Sequence, residues 1–298
     1  MTEPRMDTAY RLQTLDNPAQ LPDAWDALLT TQSQPTPFMQ RAYLAAQHTS
    51  ASAVPATGWQ PHYLLLWQGD VLAAACPLYL KSHSRGEYVF DHSWANAYAQ
   101  HGLDYYPKLL CAVPFTPVQG TRLLAVSDAA RAALVLALQA EAQRLGASSV
   151  HVLFDTTQDH AATSAAGWAT RQTVQFHWHN APEQGYSDFE TFLKTLTQSK
   201  AKKARAEMRK VRDAGVRWRH VLAQDASTAE LQLLIRCYTQ TYHEHGNAPY
   251  LTPAFFEAMF RDMPQHWLLC IASHPDFPTQ DFACSLIALD AQNPAAKV

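Results

Sequence analysis

The chain has 298 residues, of which 47% are hydrophobic and 16% charged, and its formal net charge is −3. This composition excludes a disordered chain, and the near-neutral charge excludes a protein that is basic throughout. The sequence has no apolar run of the roughly 18 residues that a membrane span needs and no N-terminal apolar signal segment, so we expect a cytoplasmic protein without a transmembrane segment.

Helices that begin at prolines, followed by a β-hairpin, are predicted for the first part of the chain. Pro22 and Pro37 each stand where the first residue of a helix is expected. Two β-rich runs follow, 62–67 and 71–80, and residues 68–70 between them read Gln-Gly-Asp, which is a turn sequence. These signals predict two helices and then an antiparallel hairpin.

Further strands and one long helix are predicted in the next segment. Residues 87–90 and 108–113 are predicted strands, with an aromatic loop between them. Ser127 is the predicted cap of a helix over 128–145, which Gly146 ends. The remaining predicted elements of this segment are a strand over 149–154, a short helix over 159–166 and a strand over 171–178.

A second series of elements follows. Ser187 and Glu190 form a capping box, which predicts a long helix that Gly215 ends. The other predicted elements are a strand over 216–221, a helix that a capping box at Ser227 and Glu230 begins and Gly246 ends, a helix from Pro253, and a hairpin of strands 267–272 and 282–289.

The two series share one element order, which predicts a tandem duplication of an α/β unit. Equivalent strands begin with His62-Tyr-Leu-Leu and His266-Trp-Leu-Leu. We predict two domains, 1–184 and 185–298, the second beginning with a basic linking helix. Only nine residues, with a turn sequence at 292–294, follow the last predicted strand, against about 100 after the equivalent hairpin of the first unit. The second unit is therefore expected to be incomplete, either because the chain is a fragment or because the second copy is degenerate.

The element order resembles that of the GNAT acyltransferase fold, and tandem units joined by a basic helix resemble the Fem-type transferases, which add amino acids to peptidoglycan precursors. Several motifs are similar to those of a Fem-like family associated with peptidoglycan biosynthesis or recognition. They are Gly86-Glu-Tyr-Val-Phe-Asp91, Trp94-Ala-x-Ala-Tyr98, Tyr105-Tyr-Pro-Lys-Leu109, Pro114-Phe-Thr-Pro-Val118, Arg122-Leu-Leu124 and Gln175-Phe-His-Trp-x-Asn180. The resemblance implies an α/β (α+β) fold of tandem GNAT-like units with mixed, mostly antiparallel sheets.

The densest polar and aromatic stretch of the sequence runs over 88–108. Direct attack of an amine on an activated acyl group needs an oriented carbonyl and a group that takes the amine proton. We expect Asp91 to orient or deprotonate the amine, and Tyr98 or His101 to relay protons. The substrate-binding residues predicted in this stretch are Trp94, Tyr105, Tyr106 and Lys108. The alternative interpretation is a structural loop whose aromatic rings pack on the sheet.

The turn before the long helix is the place where GNAT enzymes bind a cofactor pyrophosphate through backbone amides. Gln119, Gly120 and Arg122 are the candidate cofactor-binding residues there. The family-typical Q/R-x-x-G-x-G/A pattern is missing, which favours an ordinary turn. We expect no tightly bound cofactor, with acyl-CoA or aminoacyl-tRNA as the candidate co-substrate.

Two histidine pairs are candidate metal ligands, His177 with His179 and His243 with His245. Neither pair has a third ligand nearby, so no metal site is predicted. His177 lies in a motif of the resemblance and is predicted to contact substrate. The five cysteines show no C-x-x-C spacing and are expected to be free thiols.

A basic helix is the strongest electrostatic signal in the sequence. Residues 200–220 carry nine Lys or Arg against two acidic residues, a local charge of +7. Such a cluster is typical of an anion-binding surface, and Arg205 and Arg209 are the predicted contacts. The alternative is a solvated helix whose cations stabilise its C-terminal end.

The sequence favours a Fem-like N-acyltransferase that transfers an acyl or aminoacyl group from an activated donor to an amine of a small molecule or peptide. The alternative is a non-catalytic binding module that uses the basic helix for an anionic ligand: a cell-wall precursor, RNA or a lipid headgroup. The missing pyrophosphate pattern favours the module, and the aromatic and acidic stretch over 88–108 favours the enzyme.

Overall fold

The computed structural model describes residues 10–180, 185–277 and 281–290, and within them the chain has an α+β fold. The strands are β1 (Arg11–Leu15), β2 (Trp59–Pro61), β3 (Tyr63–Gln68), β4 (Val71–Cys76), β5 (Tyr79–Lys81), β6 (Lys108–Cys111), β7 (Leu124–Ala125), β8 (Val150–Val152), β9 (Arg217–Leu222), β10 (Trp267–Ser273) and β11 (Ala283–Ala288). The helices are α1 (Ala24–Thr30), α2 (Arg41–Thr49), α3 (His92–Gln100), α4 (Asp128–Leu145), α5 (Thr157–Ala165), α6 (Phe189–Leu193), α7 (Gln198–Asp213), α8 (Thr228–Glu244) and α9 (Pro253–Asp262).

The strands form mixed, mostly antiparallel sheets, as the sequence predicted. The strand orders are β1-β3-β4-β7, β2-β5-β6-β8 and β11-β10-β9, and β6 with β8 is the parallel pair among the described strands. The predicted strand over 71–80 is two strands, β4 and β5, which lie in different sheets. Pro77 lies between them, and proline has no N–H to continue a ladder.

Local signals predicted several elements correctly. Ser127 caps α4 by accepting a hydrogen bond from the Ala130 amide, and Gly146 ends the helix with a positive φ of 63°. Ser227 and Glu230 form the predicted capping box of α8. Both predicted hairpins, β3–β4 and β10–β11, are present as antiparallel pairs.

The helix predicted to begin at Ser187 differs from the structure. Asp188, not Ser187, caps α6, and its carboxylate accepts from the Thr191 amide at 2.7 Å. The chain leaves helical geometry before α7 begins. The Thr195 hydroxyl donates to the Phe192 carbonyl at 2.7 Å, a local side-chain hydrogen bond that competes with continuing a helix.

Two predicted strands are absent from the described residues. Residues 87–90 form no strand, because Tyr88 has a left-handed φ of 59° that strands exclude. Residues 171–178 pair with no strand of the described structure, and Phe176 is fully exposed. The predicted aromatic loop contains a helix, α3, whose three alanines favour helical structure.

The larger hydrophobic core joins early and late parts of the chain. Tyr43 of α2 lies 5.5 Å from Phe255 of α9 and 6.0 Å from Trp267 of β10, between ring centroids. All three side chains are buried, so this contact contributes to one continuous core. The predicted boundary at Gly185 stays a prediction, and the predicted turn at 292–294 lies outside the described residues. No helix among those described is both long and apolar enough to cross a membrane.

Candidate functional site

Two buried lysines lie side by side in the β2-β5-β6-β8 sheet. The β5–β6 register places Lys81 opposite Lys108, and the β2–β5 register places Trp59 opposite Lys81. Residues directly opposite in an antiparallel pair point to the same face of the sheet. Both lysines have no exposed surface. The sheet therefore concentrates two ammonium groups where apolar side chains would be expected.

Lys108 is held by three oxygen atoms. Its Nζ donates to Glu87 Oε2 at 2.8 Å, to Asp91 Oδ2 at 2.5 Å and to Ser84 Oγ at 2.8 Å. These contacts use all three ammonium hydrogens. Lys108 thus has a complete set of partners, and its charge is offset by the two buried carboxylates.

Asp91 is ionised, and one of its carboxylate oxygens accepts hydrogen bonds from three side chains. Burial by itself would raise its pKa, but hydrogen bonds from Lys108, Ser84 and Tyr105 outweigh burial and lower the pKa. Ser84 Oγ and Tyr105 Oη each donate to Asp91 Oδ2 at 2.8 Å. The predicted role of Asp91 as a base stays a prediction, while the geometry shows it fixing Lys108 and Tyr105.

A chain of hydroxyl groups connects the ion cluster, which comprises Lys81, Glu87, Asp91 and Lys108, to the partly buried Tyr106. Ser84 has one hydroxyl hydrogen, which it donates to Asp91. Tyr106 must therefore be the donor in its 2.8 Å contact with Ser84 Oγ. The predicted residues Tyr105, Tyr106 and Lys108 are brought together with Asp91 by this network.

The sequence analysis did not predict Lys81 and Glu87 of this cluster, nor His151, whose Nε2 lies 3.4 Å from the Tyr105 hydroxyl oxygen. Lys81 Nζ lies 3.4 Å from the Trp59 ring centroid, and its one hydrogen bond in the described structure is a long one, 3.5 Å, to the Arg85 carbonyl. Burial lowers the pKa of Lys81 to about 7, with Glu87 opposing the shift. Burial, reinforced by Lys108, lowers the pKa of His151 to about 4. The sequence signal that could have revealed Lys81 is its position at the end of β5, directly after a run of hydrophobic residues.

Two carboxylate oxygens of the cluster have no partner among the described residues. They are Glu87 Oε1 and Asp91 Oδ1, and both atoms are buried. Burial raises the pKa of Glu87, although Lys108 and Lys81 act in the opposite direction. Buried acceptors without donors are costly, so these two oxygens call for an explanation.

The predicted residues of α3 line a shallow groove beside the cluster. Its volume is about 440 Å³, and its lining residues are Ser93, Trp94, Ala97, Tyr98, His101 and Leu103. Trp94 is 54% exposed. The Tyr98 ring packs edge-on against Tyr105 at 5.2 Å between centroids. Trp94, Tyr98 and His101 are thus on one helix face, and Tyr98 connects that face to the ion cluster.

A row of contacting aromatic rings connects the cluster to the C-terminal part of the chain. The ring centroids of Trp59 and Phe115 lie 5.3 Å apart, and Phe115 stacks on Tyr250 with 4.9 Å between the centroids. The Tyr88 and Tyr242 hydroxyl oxygens lie 3.2 Å apart. Phe115 and Tyr88 both have positive φ, an uncommon geometry for bulky residues that often marks functional sites.

Backbone amides of the predicted cofactor turn donate hydrogen bonds to other parts of the chain. The Gly120 amide donates to the Phe154 carbonyl, and the Arg122 amide donates to Asp159 Oδ2. The buried Arg122 guanidinium donates to carbonyls of its own turn, while Gln119 donates to the Asp155 carbonyl. The Gly120 and Arg122 amides therefore have no free N–H to donate to a pyrophosphate in this structure.

The histidine pairs form no metal site in the part of the chain that the structure describes. The His177 and His179 rings lie 6.2 Å apart on an exposed segment without secondary structure. No group of three His, Cys, Asp or Glu side chains that could hold a metal occurs among the described residues. All five cysteines are free thiols.

Some cations of the basic helix α7 are paired and others are not. Arg205 makes an ion pair with Glu190 at 2.8 Å, and Lys203 lies 3.8 Å from Glu207. Arg209 has no ion-pair partner within the described residues. The other basic residues of this region that lack one there are Lys200, Lys202, Lys210 and Arg217.

Comparison with known proteins identifies a family and a solved structure that this chain resembles. Residues 19–293 match the FemAB-like family, described as peptidoglycan biosynthesis/recognition. No curated protein matches the chain. The crystal structure of FemX aligns with a TM-score of 0.46 and 11% sequence identity, over 88% of this chain and 58% of the FemX chain. This chain thus spans less than two thirds of the length of FemX.

Proposed function

The chain belongs to the FemAB-like family of peptidoglycan biosynthesis/recognition, and we propose that it transfers an acyl or aminoacyl group from an activated donor to an amine. The donor is an acyl-CoA or an aminoacyl-tRNA, and the acceptor is an amine of a peptidoglycan precursor or a related peptide. The proposal includes two GNAT-like units, 1–184 and 185–298, and a cytoplasmic location.

The observation that supports transfer chemistry is the ion cluster of Lys81, Glu87, Asp91 and Lys108, which the Tyr98–Tyr105 ring contact connects to the groove of α3. N-acyl transfer needs the acceptor amine to lose protons in a site that excludes water. The cluster is buried, and the Ser84–Tyr106 hydroxyl pair connects it to the surface. In this proposal the α3 groove binds the acceptor beside that connection.

We expect Tyr106→Phe to slow acyl transfer by about tenfold or more, because it removes the hydroxyl group that connects Ser84 to the surface. The protein is incubated with a UDP-linked muropeptide and, separately, acetyl-CoA, longer acyl-CoAs and aminoacyl-tRNA. Mass spectrometry then detects a muropeptide carrying one added acyl or aminoacyl group. Tyr10→Phe, which lies outside the cluster, is the matched control. Absence of product with every donor contradicts the proposal.

A binding module remains the second candidate because five basic residues at α7 and β9 have no acidic partner among the described residues. Lys202 and Arg209 are seven residues apart, which places them on one helix face two turns apart. Two unpaired cations on one helix face create a local positive potential that attracts an anion.

We expect the double variant Lys202→Gln/Arg209→Gln to weaken binding of a fluorescent polyuridine RNA about tenfold at about 50 mM salt. Binding of the wild type should fall steeply as salt rises to about 300 mM, because each contact with the anion releases counterions. Fluorescence anisotropy measures both effects, and vesicles containing phosphatidylglycerol test a lipid source of the anion. Arg11→Gln on β1 is the control. Equal binding of the variant, or salt-insensitive binding, contradicts an anion surface on α7.

A further inference from the structure

The ion cluster contains more hydrogen-bonding capacity than its own side chains use. Glu87 Oε1 and Asp91 Oδ1 accept no hydrogen bond from any described residue. Lys81 Nζ makes a single long hydrogen bond, to the Arg85 carbonyl. Lys81 lies directly opposite Lys108, which contacts both carboxylates, so the register places the three groups around one ammonium.

A primary amine matches these unused atoms. Its ammonium form has three N–H donors, of which two satisfy Glu87 Oε1 and Asp91 Oδ1. The third donates to the lone pair of Lys81 when that lysine is unprotonated. With Lys81 unprotonated, the two carboxylates and Lys108 sum to one negative charge, and one bound ammonium restores neutrality.

We infer that Glu87 and Asp91 bind the ammonium group of the acceptor substrate and that Lys81 is the base that removes its proton. The inference rests on the proposed function and names the base of that reaction. The ammonium gives one proton to Lys81 Nζ, and its nitrogen lone pair forms a C–N bond to the acyl carbon. The bond from that carbon to the donor oxygen or sulfur breaks, and the leaving atom takes the electron pair and a second amine proton.

The α3 helix begins immediately after the cluster residue Asp91 and is not part of a core. None of its residues is buried, whereas Asp91, immediately before it, is. A segment with so little buried surface opens at low free-energy cost. Asp91 is the N-cap residue of α3, so displacement of α3 would move the Asp91 carboxylate, whereas Lys81 and Lys108 would stay on their paired strands.

The test follows Lys81 directly by NMR in protein labelled with ¹³C at the lysine ε carbons. The Lys81 signal is the one lost in Lys81→Met. Ethylammonium chloride is the probe, and tetramethylammonium chloride is its control, because it carries the same charge but has no N–H to donate. We expect ethylammonium to shift the Lys81 signal to saturation and tetramethylammonium to leave it in place.

Variants locate the binding atoms. In Glu87→Gln, which keeps the size but removes the charge, half-saturation should need about tenfold more ethylammonium. Glu207→Gln, on the exposed face of α7, should leave it unchanged. Absence of a saturable shift in the wild type, or an equal response to both salts, overturns the inference even if a variant fails to fold.

The inference and the proposed function fail in different ways. Saturable ethylammonium binding without acyl transfer to any acceptor supports the amine site and contradicts the transferase. Acyl transfer whose rate and pH profile are unchanged in Lys81→Met supports the transferase and overturns the role of Lys81.

Discussion

Replacing Lys108 with methionine should cost about 3–5 kcal/mol of folding stability at neutral pH, because it leaves Glu87 and Asp91 buried without their shared cation. Both carboxylates would then have folded-state pKa values above their unfolded ones. Their destabilising contribution is present at neutral pH and is relieved as the pH falls through those raised values. The loss should therefore shrink between about pH 7.5 and about pH 5, as measured by urea unfolding.

The matched control for this prediction is Lys200→Met on α7, where the lysine is exposed and has no ion-pair partner in the described structure. It should change stability by no more than about 0.5 kcal/mol. The triple variant Lys108→Met/Glu87→Gln/Asp91→Asn should recover part of the lost stability, because it also removes the two carboxylates that Lys108→Met leaves without a cation. A loss of less than about 1 kcal/mol in Lys108→Met would show that the cluster is more hydrated than its burial indicates.

Elements whose ends depend on neighbouring residues could be predicted from the sequence. The Ser127 cap and the Gly146 stop of α4 involve hydrogen bonds within a single turn, so residue type and spacing determine them. The alternating run 171–178 has the residue pattern of a strand, but a strand also needs a partner for its N–H and C=O groups. That partner is a property of the whole fold, which the local pattern does not contain.

The candidate site could be predicted in part. The polar and aromatic density of 88–108 indicated a special segment, and Asp91, Tyr105, Tyr106 and Lys108 do meet in space. Lys81 was not predicted because its proximity to Lys108 depends on the β5–β6 register. That register in turn depends on the separation of β4 and β5 into two sheets around Pro77.

The free energy of unfolding of the wild type should increase as the pH rises above neutrality, because Lys81 loses its proton more readily in the folded than in the unfolded chain. Lys81→Met should remove that increase. Burial lowers the folded-state pKa of Lys81 from 10.5 to about 7. Between these values the unfolded chain binds a proton that the folded chain does not, so raising the pH favours folding. The variant should be more stable than the wild type at about pH 7, and the gap should close by about 2 kcal/mol by about pH 8.5.

The charged groups that act on Lys81 are Glu87, Asp91, Lys108 and Arg85, and Lys81 itself acts on His83. Urea unfolding of the wild type and Lys81→Met at several pH values between about 7 and about 8.5 gives the gap directly, since contributions common to both proteins cancel. Buried tyrosines with raised pKa values, such as Tyr79, oppose the rise only at higher pH, because their contribution is lost as they ionise in the unfolded chain. Lys200→Met should run parallel to the wild type over this range. If Lys81→Met also runs parallel, Lys81 is protonated throughout in the folded protein, and it could not act as a base near neutral pH.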